Sequence, residues 1–316
     1  MGNKASSASE NKTQLKLIKT LWGIDDPISP KLFKSIKKEG YHGVEVIRLT
    51  WMDEKSRETL VDALNASGLG CVTQIHTAGG YIDGGNYIYC GAYDVETHQK
   101  DFSKQLQECK ELLGKVKKGG FVNVHAGVDA WSNDEVVQFL EYCFTEIEKS
   151  GLKVCFETHR QRIFGSPFQT RELLALPSLS ESKYLKLNAD LSHWFCACER
   201  VFNPLEEDRD NWWPAVLESV ISRCGYIHAR FGWAQGPQMA DPSAAECETE
   251  RNLQIAMWKE LAKGQMTNST DVFVSPEYGP APYMPWKPGT QEPVASLPAA
   301  VSYTKGVIED LFASIE

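Results

Sequence analysis

Four segments in the second half of the chain decide the fold: KVCFETH (153–159), LKLNADLSH (185–193), YIHARFG (226–232) and VFVSPEYG (272–279). They are short, rich in apolar and β-branched side chains, and carry carboxylate or imidazole groups towards their ends. Near-continuous apolar runs of this length are typical of parallel strands that are covered on both faces. The segments therefore predict buried parallel strands whose carboxyl ends hold the reactive side chains.

Four earlier segments repeat this pattern. They are LKLIKTLW (15–22), GVEVIRL (43–49), CVTQIHTA (71–78) and FVNVHAG (121–127). Apolar side chains recur with helical period between the strands, and the helix predicted over 132–149 begins with a capping box of Ser132 and Glu135. Eight strand–helix units in 316 residues most simply close into a single α/β domain, a (β/α)8 TIM barrel. An open doubly wound sheet is the alternative, and the even spacing of the units favours closure.

The predicted loops differ in length at the two ends of the strands. Connections from helix to strand are short, whereas several connections from strand to helix are long. The long ones are 79–93, 195–211, 233–243 and 279–297. In a TIM barrel such loops lie at the C-terminal face, where catalysis takes place. The Gly-rich segment 79–93 is predicted to be a mobile lid, with Tyr81, Tyr87 or Tyr89 over the pocket.

The barrel is predicted to span 14–316, and the polar residues 1–13 are predicted to form a flexible tail. The tail starts with MGNKASS, in which Gly2 and Ser6 fit the N-myristoylation pattern. An ordinary soluble tail is the alternative. A single acyl chain supports at most weak, reversible membrane attachment.

Charge and composition narrow the function classes. The chain has 33 basic and 42 acidic side chains, which give a formal net charge of −9. This acidic surplus argues against nucleic acid as a partner, because binding to the phosphate backbone requires a basic surface. Nine cysteines without a signal peptide indicate reduced thiols and a cytoplasmic location.

Titratable side chains gather at the predicted strand ends. In chain order they are Glu45, His76, His125, Glu157, Asp190, His193, His228 and Glu277. A carboxylate at the end of a buried strand is costly unless it is paired or bound to a metal. Because parallel strands of a barrel end at the same face, these side chains predict an active site at its mouth.

A metal centre is predicted from the four strands quoted first. Their ends carry Glu157, Asp190, His228 and Glu277. Three carboxylates and one imidazole suit one divalent cation, foremost Mn²⁺, with Mg²⁺, Co²⁺ or Zn²⁺ as alternatives. Four protein ligands leave coordination positions for a substrate carbonyl and its neighbouring hydroxyl.

The strand-end motifs resemble the xylose isomerase-like TIM barrel superfamily, above all its sugar phosphate isomerase/epimerase group. The motifs are FETHR (156–160), NADLSHW (188–194), IHAR (227–230) and PEYG (276–279). The resemblance implies the same four metal ligands. It also implies that Glu157 and Glu277 are catalytic: one removes the hydrogen next to a carbonyl and the other returns it through a metal-stabilised enediolate. Similar barrels are often dimers or tetramers, so a homo-oligomer is a further expectation.

Substrate contacts are expected from side chains near these ligands. The candidates are His76, His125, His193, Arg230, Asp241 and Trp194. His193 follows Asp190 by three residues and is expected to hydrogen-bond a substrate hydroxyl. Asp241, on the loop after the seventh strand, is expected to be a further ligand or a lid residue. Trp194 offers an aromatic face that can stack on a sugar ring.

The leading functional hypothesis is a divalent-metal-dependent isomerase or epimerase of a small, largely uncharged sugar or hydroxy-ketone. The main alternative is a metal-dependent lyase or dehydratase acting on a keto-sugar, keto-inositol or dehydroshikimate-like substrate. An abasic-site endonuclease and a non-catalytic ligand-binding barrel are the remaining hypotheses. Two positions depart from the related patterns: Ile163 replaces a second glutamate of ketose 3-epimerases, and Ser243 replaces a zinc-binding histidine of the endonucleases.

Overall fold

Eight parallel strands close into a barrel in the computed structural model, which describes residues 13–47, 49, 52–81, 87–89, 94–203, 207–269 and 271–315. The strands are β1 (Gln14–Thr20), β2 (Gly43–Val46), β3 (Gly70–His76), β4 (Gly79–Tyr81), β5 (Tyr87–Tyr89), β6 (Gly120–His125), β7 (Val154–Glu157), β8 (Leu187–Ala189), β9 (Cys224–His228) and β10 (Asp271–Ser275). The barrel order is β1-β10-β9-β8-β7-β6-β3-β2, while β4 and β5 form a separate antiparallel hairpin. The predicted (β/α)8 barrel is confirmed, and the open sheet is excluded.

Helices follow the barrel strands. They are α1 (Pro30–Lys38), α2 (Glu54–Ser67), α3 (Val95–Leu113), α4 (Asn133–Ser150), α5 (Pro167–Leu174), α6 (Pro177–Ser180), α7 (Ser192–Ala197), α8 (Glu207–Asp210), α9 (Trp213–Ile221), α10 (Glu248–Asn268) and α11 (Leu297–Ala313). The predicted capping box begins α4: the Ser132 hydroxyl accepts from the Glu135 backbone N–H, and the Glu135 carboxylate accepts from the Ser132 N–H. Gly151 ends the same helix in the left-handed conformation, which glycine adopts without steric cost.

The strand register places the site residues at one level. His76 of β3 lies opposite His125 of β6, and Ser275 of β10 lies opposite His228 of β9. Side chains two residues apart on a strand face the same side, so Asn123 accompanies His125 into the barrel interior. The same alternation brings inward-facing polar groups together below the mouth.

An apolar layer closes the barrel interior beneath this polar level. Its buried side chains are Ile18, Val72, Phe121, Cys155 and Tyr226. The rings of Phe121 and Tyr226 meet edge to face, with centroids 5.1 Å apart. The larger apolar cluster includes Val44, Val122 and Phe156, which point from the strands towards the helices. This layer separates the polar mouth from the opposite end of the barrel.

The strands are shorter at their carboxyl ends than the sequence predicts. The largest difference concerns 185–193, of which only Leu187–Ala189 is strand, because the chain turns at Asp190 into the short helix α7. His193 and Trp194 therefore lie on a helix. Since the side chains of a helix diverge by about a third of a turn per residue, these two neighbours point to different surroundings.

Some predictions concern residues outside the described part. The tail 1–12 is among them, so its acylation stays a prediction. The side chains of Tyr81, Tyr87 and Tyr89 are also outside it, and the predicted lid contacts stay untested. None of the described helices is long and apolar enough to cross a membrane.

Candidate active site and metal centre

The barrel mouth holds a cavity of about 530 Å³. Six of the predicted site residues line it: His76, His125, Glu157, His193, Arg230 and Glu277. Asp190 and His228 lie against this wall, in contact with Arg230 and Glu277 respectively. The structure thus brings side chains from the ends of β3, β6, β7, β8, β9 and β10 together at one site.

Glu157 ends β7 within a group of hydrogen-bond donors. Its Oε2 accepts from Nδ2 of Asn123 at 2.6 Å and from Nδ2 of Asn188 at 3.2 Å. The same oxygen lies 3.1 Å from His125 Nε2 and 3.5 Å from His228 Nδ1. Burial acts to raise the pKa of Glu157, but His125 and His228 outweigh it and hold the pKa well below its usual range. Glu157 is therefore a carboxylate at neutral pH.

Arg230 joins the other two carboxylates. Its Nη1 donates to Glu277 Oε2 at 2.8 Å, and its Nη2 donates to Asp190 Oδ2. Burial raises the pKa of Asp190 to about 7, although the guanidinium of Arg230 opposes the shift. Burial also acts to raise the pKa of Glu277, but the charges of His228 and Arg230 outweigh it and lower the pKa. Arg230 thus compensates negative charge between β8 and β10.

His228 connects the site to Glu45, which lies in the barrel interior. Its Nε2 lies 2.9 Å from Glu45 Oε2, which also accepts from the Tyr226 hydroxyl at 3.0 Å. Burial acts to lower the pKa of His228, but Glu277, Glu45 and Glu157 outweigh it and raise the pKa well above its ordinary value. Because Nε2 is committed to Glu45, Nδ1 is the nitrogen that remains for the site.

A row of imidazoles forms one wall of the cavity. The ring centroids of His76 and His125 are 4.0 Å apart, those of His125 and His159 are 4.7 Å apart, and those of His159 and His193 are 3.8 Å apart. Burial and the nearby His125 lower the pKa of His159 to about 3. Burial, His159 and Arg230 together lower the pKa of His193 well below its ordinary value. His159 and His193 are therefore neutral at physiological pH.

The neutral ring of His193 has a defined tautomer. Arg230 Nη2 lies 2.8 Å from His193 Nε2, and a guanidinium can only donate a hydrogen bond. The Nε2 atom is thus the acceptor, and the proton is on Nδ1. This buried Nδ1 has no hydrogen-bond partner among the described residues, so it remains available as a donor.

The residues present fit a divalent cation. Three overlapping groups bring potential ligand atoms within 4.8 Å of one another: His125 with Glu157 and His159, Glu157 with Asp190 and His193, and Asp190 with His228 and Glu277. His228 Nδ1 and His125 Nε2 are buried beside carboxylate oxygens, yet neither makes a hydrogen bond of good geometry within the described part of the chain. Buried polar atoms are rarely left in this state, so a bound group is expected there. Carboxylates with imidazole suit Mn²⁺, Mg²⁺ or Co²⁺, as well as Zn²⁺.

Two of the predicted substrate contacts lie elsewhere. Trp194 is fully buried, and its indole N–H donates to the Phe164 carbonyl at 2.8 Å. It points into the core because α7 turns it away from His193, so it offers no face to a substrate. Asp241 is exposed and accepts from the backbone N–H of Ser243 at 3.0 Å. Neither residue lines the described cavity, and both are left out of the proposed site.

Three residues of the site were given no individual role from the sequence. His159 lies two residues after Glu157, and this spacing, which puts both on one face of a strand, was the available signal. Glu45 appeared only as a strand-end carboxylate, without its link to His228. Arg160 stood only as the last residue of the FETHR (156–160) motif, without a role of its own, because its position depends on the path of the loop after β7.

The fold and the site together define a TIM-barrel protein whose catalytic face carries a candidate metal centre. The chain belongs to the xylose isomerase-like TIM barrel family, whose sequence model matches residues 33–231. The resemblance drawn from the strand-end motifs is therefore confirmed at the level of the family. No curated protein matches the chain.

Solved structures with the same fold belong to proteins with different functions. A D-tagatose 3-epimerase-like protein has a TM-score of 0.60 at 12% identity, with 95% of this chain and 98% of that chain covered. A xylose isomerase-like TIM barrel protein from Mycobacterium smegmatis, in complex with magnesium, has a TM-score of 0.57 at 12% identity, with 95% and 98% covered. The probable 3-DHS dehydratase from Bacillus anthracis has a TM-score of 0.51 at 17% identity, with 83% and 92% covered. At these identities the likeness concerns the fold alone.

Proposed function

We propose that the protein is a divalent-metal-dependent isomerase or epimerase of a small sugar or hydroxy-ketone. One observation carries the proposal: Glu157 Oε2 and Glu277 Oε2 lie 3.5 Å and 3.3 Å from the same atom, His228 Nδ1. Two carboxylates from β7 and β10 therefore converge on one centre. Paired carboxylates beside a carbonyl substrate suit the removal and return of a proton.

Glu157, Asp190, His228 and Glu277 would hold the cation. When bound, a divalent cation polarises a substrate carbonyl and makes the neighbouring C–H more acidic. Mn²⁺ is the first expectation and Mg²⁺, Co²⁺ and Zn²⁺ are alternatives; the magnesium complex of the M. smegmatis protein supports a divalent cation in this fold. Neither Glu157 nor Glu277 uses its Oε1 in a hydrogen bond within the described part, so each keeps an oxygen for a ligand or a proton.

The remaining residues orient the substrate and move the proton. Glu157 and Glu277 both have a lowered pKa, so each is ionised at neutral pH and able to accept a proton. The N–H of His193 Nδ1 is proposed to donate to a substrate hydroxyl. His76 and His125, stacked on one another at the cavity wall, are proposed to bind further hydroxyls. The cavity of about 530 Å³ has the size of a small-molecule site.

Proton NMR in D₂O tests the proposed reaction. The Mn²⁺-loaded protein would be incubated with D-fructose, D-tagatose, a keto-inositol and 3-dehydroshikimate. We expect deuterium to enter the carbon next to the carbonyl of at least one compound, with no loss of water. An unsaturated product formed with loss of water would instead establish the lyase alternative, to which the fold shared with the B. anthracis dehydratase lends support. If the metal-loaded protein catalyses neither exchange nor elimination with any of them, the proposal fails for this substrate class.

A further inference from the structure

Arg160 lines the cavity as a cation without a charged partner. It follows the catalytic strand β7 by three residues and is partly exposed at the cavity wall. No carboxylate of the described residues lies within 4.0 Å of its guanidinium. Its side-chain hydrogen bond runs from Nη1 to Cys196 Sγ at 3.9 Å, and sulfur is a weak acceptor.

The second arginine of the cavity, Arg230, has carboxylate partners. Arg230 donates to both Asp190 and Glu277, so its charge is compensated inside the protein. Both guanidinium groups lie near the Tyr283 ring, whose centroid is 5.3 Å from Arg160 Cζ and 5.1 Å from Arg230 Cζ. Arg160 therefore remains as the cavity cation whose charge no described carboxylate neutralises.

The surroundings of Arg160 hold it in place and add no negative charge. The neighbouring side chains of His159 and His193 are imidazoles, which carry no negative charge. The backbone turns at Gln161, whose φ is 66°. The next residue, Arg162, holds the loop in place by donating to the carbonyls of Thr77 and Gly127, each at 3.0 Å. The loop thus presents Arg160 from a fixed backbone.

We propose that Arg160 binds an anionic group of the substrate, so that the substrate class is an acidic hydroxy-ketone: a keto-sugar acid or a sugar phosphate. This inference rests on the proposed function. A planar guanidinium matches the geometry of a carboxylate or a phosphate with two parallel hydrogen bonds. The anion would lie at the rim beside Tyr283, while the carbonyl and hydroxyl groups lie towards Glu157 and Glu277. The earlier expectation of a largely uncharged substrate is replaced by this one.

Binding of matched pairs of compounds tests the proposal. The pairs are D-fructose 6-phosphate with D-fructose and D-tagaturonate with D-tagatose, measured by calorimetry at low ionic strength. We expect one anion to bind at least about tenfold more tightly than its neutral partner, with and without Mn²⁺. The pair that shows the difference identifies phosphate or carboxylate as the recognised group.

Variants assign the preference to Arg160. Arg160→Gln is expected to remove the preference for the anion, and Arg160→Lys is expected to retain part of it. The control is Arg171→Gln, an exposed arginine on α5, which is expected to keep the full preference. Since Arg160 forms no ion pair with the described residues, thermal unfolding of the variant should match that of the wild type.

Equal binding of both members of each pair, or a preference that persists in Arg160→Gln, would overturn the inference. The outcome is separate from that of the proposed function. Metal binding and deuterium exchange on a neutral ketose, without anion preference, would sustain the function and reject the role of Arg160. A preference for the anion without deuterium exchange on any substrate would sustain the role of Arg160 and reject the proposed function.

Discussion

Glu277→Gln is expected to slow deuterium exchange at the substrate carbon by about 10²–10⁴-fold. The carboxamide keeps the size of the side chain and an oxygen for coordination, but it cannot accept a proton. Glu277 is one of two carboxylates that approach His228 Nδ1, at 3.3 Å, and Glu157 is the other, at 3.5 Å. Glu157→Gln is expected to lose activity to a similar degree, since each group handles the proton in one direction.

The measurement is the rate of deuterium incorporation by NMR, with the metal content of each variant determined alongside. Glu141→Gln, an exposed glutamate on α4, is the matched control and should exchange at the wild-type rate. A Glu277→Gln protein that holds its metal and still exchanges at the wild-type rate would contradict the assignment of Glu277 as an acid–base group.

Glu45→Ala is expected to destabilise the metal-free protein by about 3–5 kcal/mol, because it leaves buried donors without their acceptor. Glu45 is fully buried. Its Oε1 accepts from Gln74 at 3.0 Å and Asn123 at 3.3 Å, and its Oε2 accepts from Tyr226 at 3.0 Å and contacts His228 at 2.9 Å. In thermal unfolding the loss corresponds to a Tm lower by about 10 °C.

The same variant is expected to weaken Mn²⁺ binding by about 10–100-fold. Glu45 fixes the orientation of the His228 ring and its proton on Nε2, so that Nδ1 is presented to the site. Gln265→Leu is the control. Gln265 is buried, and among the described residues it bonds the backbone of Phe273 and the Cys224 sulfur, so its loss should lower Tm without changing Mn²⁺ affinity. Unchanged Mn²⁺ affinity in a folded Glu45→Ala protein would reject the positioning role.

The barrel was predictable because its signal is repeated. Each strand is an apolar run flanked by turn residues, and eight such runs leave few arrangements other than closure. The convergence of Glu157, Asp190, His228 and Glu277 followed from this topology, since parallel strands end at one face. Strand ends were predicted less well. The segment 185–193 alternates apolar and polar side chains and reads as one strand, but Asp190 accepts from the Ser192 N–H and starts a helical turn.

Contacts between distant loops could not be predicted in the same way. Trp194 was expected near a substrate from its place beside His193, but the helix α7 buries its ring against Trp213. Arg230 pairs with both Asp190 and Glu277, whereas Arg160 has no carboxylate partner among the described residues; both findings depend on side-chain positions that no local sequence pattern encodes. Charge partners across strands 30 or more residues apart in sequence become visible only once the barrel is closed.

The central claim is that four strand-end residues bind one divalent cation, and anomalous diffraction from crystals grown with Mn²⁺ tests it most directly. Data collected on both sides of the manganese absorption edge should show one strong peak per chain, contacted by Glu157, Asp190, His228 and Glu277. Crystals of Asp190→Asn under the same conditions should show a much weaker peak or none. The absence of a peak in the wild-type protein at saturating Mn²⁺, or a peak away from these four side chains, would contradict the account.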